Sequence, residues 1–138
     1  MSLNDAINIL QNHGYKMTHR RKAIIQYFST SDGYRTAKDL YEHMEAKYTG
    51  ISYDTVYRNL HLFHDLDILE STSLNAEKHF RINCGDHHHH HFICNVCGGT
   101  KKLNICPMDD IGTLLKNYTI DDHKFEVYGL CPSCKLAS

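Results

Sequence analysis

The chain has 138 residues, enough for one ordinary domain or two small ones, with 41% hydrophobic residues, 22% charged residues and a formal net charge of −1. That balance excludes a uniformly basic nucleic-acid binder, so any DNA contact must come from a local patch. No apolar run approaches the roughly 20 residues of a membrane span. The start, Met1-Ser2-Leu3-Asn4-Asp5, lacks the charged and apolar regions of a secretion signal. The expected location is the cytoplasm, where six cysteines argue for metal rather than disulfides. Two small domains could not each bury a large core, so a metal staple or dimerisation is expected to help.

The first part of the chain has helical periodicity. Leu3, Ala6, Ile7 and Leu10 share one face, and Gly14 is a plausible stop. Thr18 is the expected cap of a second helix with Ala23, Ile24, Tyr27 and Phe28 as its apolar stripe. The basic cluster Lys16-Met17-Thr18-His19-Arg20-Arg21-Lys22 lies where that helix begins. Such a cluster is either a solvated helix face or a DNA contact. Thr36 caps a third helix over about Ala37 to Lys47, with Leu40, Tyr41 and Met44 inward. Gly50 breaks the chain, and Ser52 caps a fourth helix with Val56, Leu60 and Phe63 on its apolar face. Ile68–Thr72 and Lys78–Ile82 read as strands joined by a turn at Asn75-Ala76-Glu77.

Short helices followed by a hairpin suggest a winged helix-turn-helix. The fourth helix would then be the recognition helix, with Tyr53, Asp54, Tyr57, Arg58 and His61 facing outward. Arg58 could reach phosphate or guanine, and the tyrosines sugar, phosphate or thymine methyl groups. A generic helical bundle fits the periodicity equally well.

Near residue 84 the character changes. The second part reads as β-rich, with strands at His89–Ile93, Thr100–Ile105 and Phe125–Leu130 and a short helix over Met108–Lys116 after Pro107. It carries two CxxC pairs, Cys94-Asn95-Val96-Cys97 and Cys131-Pro132-Ser133-Cys134, separated by 33 residues. Each pair points two thiolates from one tight turn, and two pairs complete a closed four-thiolate zinc site. A zinc ribbon usually has about 15–20 residues between pairs, so these must come from elements that meet in space. Ordinary buried thiols explain two regular pairs poorly.

The run His87-His88-His89-His90-His91 precedes the first pair. An affinity tag is the bland explanation, but tags normally sit at termini. In an extended strand, His89 and His91 point one way and His88 and His90 the other, so one strand could serve two metal sites. No HExxH, nucleophile motif or general base accompanies the histidines, which argues against a zinc hydrolase and against any enzyme or small-molecule substrate. A metal buffer without DNA function is the other competing class.

The motifs Thr18-His19-Arg20-Arg21, Thr36-Ala37-Lys38-Asp39-Leu40-Tyr41, Ile51-Ser52-Tyr53-Asp54-Thr55-Val56-Tyr57-Arg58-Asn59-Leu60 and His88-His89-His90-His91-Phe92-Ile93-Cys94-Asn95-Val96-Cys97 carry a family resemblance. Over nearly its whole length the chain resembles the Fur family of metal-dependent transcriptional repressors. The resemblance implies an α+β protein, with a winged helix-turn-helix DNA-binding domain over residues 1–83 and a small α/β dimerisation domain over 84–138. It also implies a homodimer that binds palindromic double-stranded operator DNA when metal-loaded. Arg20, Tyr53, Tyr57 and Arg58 are the expected DNA contacts.

Within the family the chain looks most like the zinc uptake regulators. Family iron and peroxide sensors usually place a histidine just before the third-helix motif, where Tyr34 and Arg35 stand here. They also use an acidic residue in the wing-to-hinge segment, where this chain has Cys84. The implied cofactor is Zn2+, structural in the four-cysteine site and regulatory elsewhere. The implied hinge site is Glu70, Cys84, His89 and His91, with His79 as an alternative donor. A third site maps to His88, His90, Asp109 and His123, with Asp110 as an alternative to Asp109. Cys106 and His87 match no site.

Overall fold

Side-chain caps fix where the helices begin. The structure, a computed structural model, describes residues 1–83 and 90–137. Ser2 caps α1 (Leu3–Asn12) in a reciprocal box with Asp5, and Thr18 Oγ1 accepts from the Arg21 amide at 3.1 Å to start α2 (His19–Thr30). A two-residue strand, β1 (Arg35–Thr36), leads into α3 (Ala37–Lys47), where Thr36 and Asp39 form a second capping box. Ser52 Oγ accepts from the Thr55 amide at 3.1 Å and opens α4 (Tyr53–Asp65). β2 (Leu69–Leu74) and β3 (Glu77–Ile82) complete the wing.

The apolar stripes of these helices close one core. Leu10, Ile24, Phe28, Leu40, Met44, Val56, Leu60, Phe63, Ile68 and Phe80 are all essentially inaccessible. Ile25 is buried and Tyr27 only half-buried, so α2 turns its stripe slightly from the expected face. The wing sheet has the order β1-β3-β2, all antiparallel. β1 was not expected, because two residues are too few to show alternation; its partners are Arg35 with Phe80 and Thr36 with His79.

The wing turn is shorter than the sequence suggested. Leu74 pairs with Glu77, leaving only Asn75 and Ala76 in the turn, at φ 52° and 64°. Both positions need left-handed backbone, which asparagine tolerates and alanine resists. Ala76→Gly should therefore raise the stability of the wing-bearing unit by about 1 kcal/mol. Urea unfolding followed by circular dichroism reads this as a higher midpoint at unchanged slope; a lower midpoint would contradict the turn assignment.

The chain divides into two compact units, Met1–Gly85 and Asp86–Ser138. The second is built on β4 (His90–Cys94), flanked by antiparallel β5 (Thr100–Leu103) and, after α5 (Met108–Leu114), by parallel β6 (Glu126–Gly129). A one-and-a-half-turn helix, α6 (Pro132–Ala137), follows. It was not expected, since six residues carry no usable periodicity and the cysteines dominate its sequence. β5, β6 and α5 are each two residues shorter than expected, and β4 ends one residue later, at Cys94. Among the described residues, no helix is long and apolar enough to cross a membrane.

Candidate metal centres and nucleic-acid interface

The sheet explains how cysteine pairs 33 residues apart meet. β4 and β6 run parallel with Cys94 beside Gly129, so the segment after β6 leaves at the same end of the sheet as the first pair. In the turn after β4, the Gly98 amide donates to the Cys94 carbonyl at 3.1 Å and the Cys94 amide to the Gly99 carbonyl at 2.9 Å. Gly98 holds φ 72°, a left-handed position that suits glycine. A Cβ on Gly99 would stand 3.1 Å from Cys97 Sγ, so the turn is cut close to the sulfur.

The four sulfurs of Cys94, Cys97, Cys131 and Cys134 lie within 4.8 Å of one another. Cys97 Sγ and Cys131 Sγ are 3.8 Å apart. Zinc–sulfur bonds of about 2.3 Å at tetrahedral angles require a sulfur–sulfur edge of about 3.8 Å. Backbone amides converge on the sulfurs: Cys131 N–H on Cys94 at 3.4 Å, Gly99 N–H on Cys97 at 3.3 Å and Cys134 N–H on Cys131 at 3.5 Å.

These donors set the thiol acidities. Burial pushes the Cys94 thiol up, but the amides of Cys97, Cys131 and Val96 outweigh it and bring it down to about 6. The Gly99 amide pulls Cys97 down, yet burial and the Cys94 and Cys131 sulfurs leave it raised. Cys134 is pushed up to about 12, first by its hydrogen bond with Cys131 and then by burial. One thiolate is welcome and further ones repel, so four can ionise together only around a cation. The donor set fits zinc: four soft sulfur ligands, no open position, and amides that stabilise thiolate charge.

A second cluster lies at the opposite end of β4. His90 pairs with Leu103, which brings the segment after β5 alongside it, and His91 pairs with Glu126, which brings the segment before β6 alongside. The ligand atoms of His90, Cys106 and His123 lie within 4.8 Å of one another. Cys106 Sγ is 3.4 Å from His90 Nε2 and 3.5 Å from His123 Nε2. His90 is only 7% exposed, and the Phe125 ring stands edge-on to it at 5.4 Å.

Of the four residues expected at the third site, His90 and His123 stand in this cluster and His88 lies outside the described residues. His90 and His123 meet as the sequence suggested, but Asp109 is exposed in the first turn of α5 and is not among the converging donors; Cys106 is. Asp110 is likewise exposed. The available signal was Cys106-Pro107 standing just ahead of a helix start, which puts a thiol in the loop rather than on the helix.

Cys84, His87, His88 and His89 lie outside the described residues. Glu70 sits on β2 opposite Arg81, whose Nε lies 3.2 Å from its carboxylate. His79 is half-buried on β3, with Nδ1 2.9 Å from the Glu77 carbonyl. His91 is half-buried on β4.

The outward face of α4 carries the expected nucleic-acid contacts. Tyr53 is 47% and Tyr57 40% exposed, with rings stacked at 5.9 Å. Tyr41 meets Tyr53 edge-on at 5.4 Å, and Tyr57 meets His61 at 4.4 Å. Arg58 pairs with Asp54 one turn earlier at 3.1 Å, both side chains more than 70% exposed. An exposed pair of this kind contributes at most about 0.5 kcal/mol, so the guanidinium is easily released to a phosphate or base. Arg20 is exposed, its guanidinium 5.9 Å from the Tyr48 ring. Arg21 plays a different part. It donates to Asn59 Oδ1 at 3.0 Å and to the Lys16 carbonyl at 2.6 Å, tying α2 to α4. Sequence reasoning did not separate it from Arg20.

A winged helix-turn-helix followed by a sheet with clustered metal donors defines a metal-responsive transcriptional regulator, not an enzyme. Residues 12–128 match the Ferric uptake regulator family, and the chain belongs to that family. It is 53% identical over 135 residues to the ferric uptake regulation protein of Staphylococcus epidermidis, covering 98% of each chain. It is 51% identical to the protein of the same name in Staphylococcus aureus strain Mu50, covering 98% of this chain and 99% of that one. Among solved structures, the Helicobacter pylori ferric uptake regulator superposes with a TM-score of 0.76 at 15% identity, covering 98% of this chain and 95% of that one. A zinc uptake regulator complexed with zinc and DNA gives 0.68 at 22%, covering 98% and 93%. At these identities the two structures share the fold alone. The shared fold comprises an N-terminal winged helix-turn-helix unit and a C-terminal unit built on a three-stranded sheet.

Two outcomes follow from this geometry. Cys131→Ser should lower zinc content by one equivalent per chain and shift the protein from dimer to monomer or aggregate, because a closed thiolate site contributes folding free energy. Elemental analysis with size-exclusion light scattering measures both, and a zinc-replete dimeric variant would refute it. Arg58→Ala should weaken binding to a selected palindromic DNA by about 1–3 kcal/mol without changing zinc content. Full affinity would mean that α4 does not read DNA.

Proposed function

We infer that this chain is a repressor that binds palindromic operator DNA as a homodimer, with ferrous iron as its effector. The observation that carries the iron assignment is the 53% identity, over 98% of both chains, to a protein named for ferric uptake regulation. The exposed aromatic and arginine face of α4 supports DNA reading by Tyr53, Tyr57 and Arg58, with Arg20 contributing from α2. Homodimerisation is supported by the second unit, where Ile105, Leu114, Tyr118 and Leu136 are each at least 70% exposed when the chain stands alone.

The sensing site is assigned to Glu70, Cys84, His89 and His91, with His79 as a substitute donor, and the four-cysteine site to a structural zinc. Metal and DNA select one shared conformation, so each raises the other's affinity by the same factor. The Glu70–Arg81 ion pair is then the contact a metal must displace. A zinc-responsive repressor is the second reading, favoured by the sulfur donor in the His90–Cys106–His123 cluster.

DNA binding measured anaerobically against buffered free Fe2+, Zn2+ and Mn2+ tests these readings, using a palindrome selected from a random library. Iron should strengthen binding by about 5- to 150-fold. A response to zinc but not iron would replace the first reading with the second. DNA binding indifferent to every metal would sink both.

A further inference from the structure

We propose that Cys106 is a thiolate ligand and that His90, Cys106 and His123 form an N2S site for a borderline-soft divalent cation such as Zn2+. This goes beyond the proposed function and stands whichever ion drives DNA binding. The distances carry it. Zinc–nitrogen bonds of about 2.05 Å and zinc–sulfur bonds of about 2.3 Å at tetrahedral angles require a nitrogen–sulfur edge of about 3.6 Å. The two edges here are 3.4 and 3.5 Å.

The local structure holds each donor from a different element. His90 opens β4, Cys106 stands in the loop between β5 and α5, and His123 precedes β6. The His123 amide donates to the Asp122 carboxylate at 2.8 Å, which fixes the backbone that carries the ring. Phe125 closes one side of His90, its ring standing nearly perpendicular at 85°. The imidazole rings of His90 and His123 are 5.2 Å apart and inclined by 61°, so they aim at Cys106 from two directions. A thiol has one proton and can donate to only one of the two imidazoles. A cation satisfies all three donors at once, and the Cys106 proton leaves to solvent as the metal–sulfur bond forms.

Cys106 takes the place that a carboxylate from Asp109 was expected to fill, and this changes the ligand class. A carboxylate with imidazoles accepts hard or borderline ions, including Mn2+ and Fe2+. A thiolate with two imidazoles favours Zn2+ and Co2+ and disfavours Mn2+. Three protein donors leave one tetrahedral position for a further ligand.

Cobalt tests this directly, because a thiolate bound to Co2+ gives an intense sulfur-to-metal charge-transfer absorption that imidazole and carboxylate do not. The full chain is prepared with one zinc in the four-cysteine site, in a Cys84→Ser background so that no other thiolate competes, and Co2+ is added. The added cobalt should show the charge-transfer band, and Cys106→Ser in the same background should abolish it while Asp109→Asn leaves it unchanged. A band that survives Cys106→Ser, or one lost in Asp109→Asn, would overturn the assignment. So would the absence of any band in the parent protein. A second measurement needs no Cys106 variant: alkylation of Cys106, followed by peptide mass spectrometry, should slow at least tenfold when a second zinc equivalent is present. Unchanged labelling would overturn the proposal independently.

Discussion

Four sulfurs confined within 4.8 Å cannot all be thiolates without a cation between them, and the second unit depends on that constraint. Its sheet has only three strands, and Ile93, Cys94 and His90 are its buried residues among those described. Such a sheet gains little from apolar burial and must be held by other means. The Cys94-to-Gly99 turn and the start of α6 are shaped around the sulfurs: a left-handed Gly98, a Gly99 where a Cβ would crowd Cys97 Sγ, and three amides aimed at three of the sulfurs. The amides lower the Cys94 thiol, while the hydrogen bond with Cys131 raises Cys134, so the sulfurs do not all ionise readily without a cation. A metal held by all four sulfurs would couple its binding to the folding of this unit.

The winged unit is governed by a different rule, the separation of faces on α4. Val56, Leu60 and Phe63 are wholly buried, and that fixes Tyr53, Tyr57 and Arg58 on the opposite side. Any rotation of the helix that hid the tyrosines would expose the core stripe. The Arg21–Asn59 hydrogen bond locks α2 against α4 from a side that neither core nor outward face uses. The outward face is thus set by the core stripe behind it and lightly held in its side chains, since Arg58 makes an exposed ion pair with Asp54.

Legibility in the sequence followed signal length. The starts of α2, α3 and α4 were legible at Thr18, Thr36 and Ser52, because the cap and the stripe are independent signals that agree. β1 and α6 were missed because two and six residues hold too little pattern. The four-cysteine site was legible because each CxxC is local, and the sheet needed only to bring two local units together. His90 and His123 were legible through strand alternation and the family's spacing. Cys106 was not: it forms no local pair, and its role depends on where the loop after β5 ends, which is a property of strand register rather than of neighbouring residues.

The apparent conflict between iron-named relatives and a sulfur-containing His90–Cys106–His123 cluster dissolves once affinity and response are separated. An ion shifts a conformational equilibrium only by the difference between its affinities for the two conformations. A cluster whose geometry is the same in both conformations can bind zinc tightly and shift nothing. Donor softness at His90, Cys106 and His123 thus describes what that cluster retains.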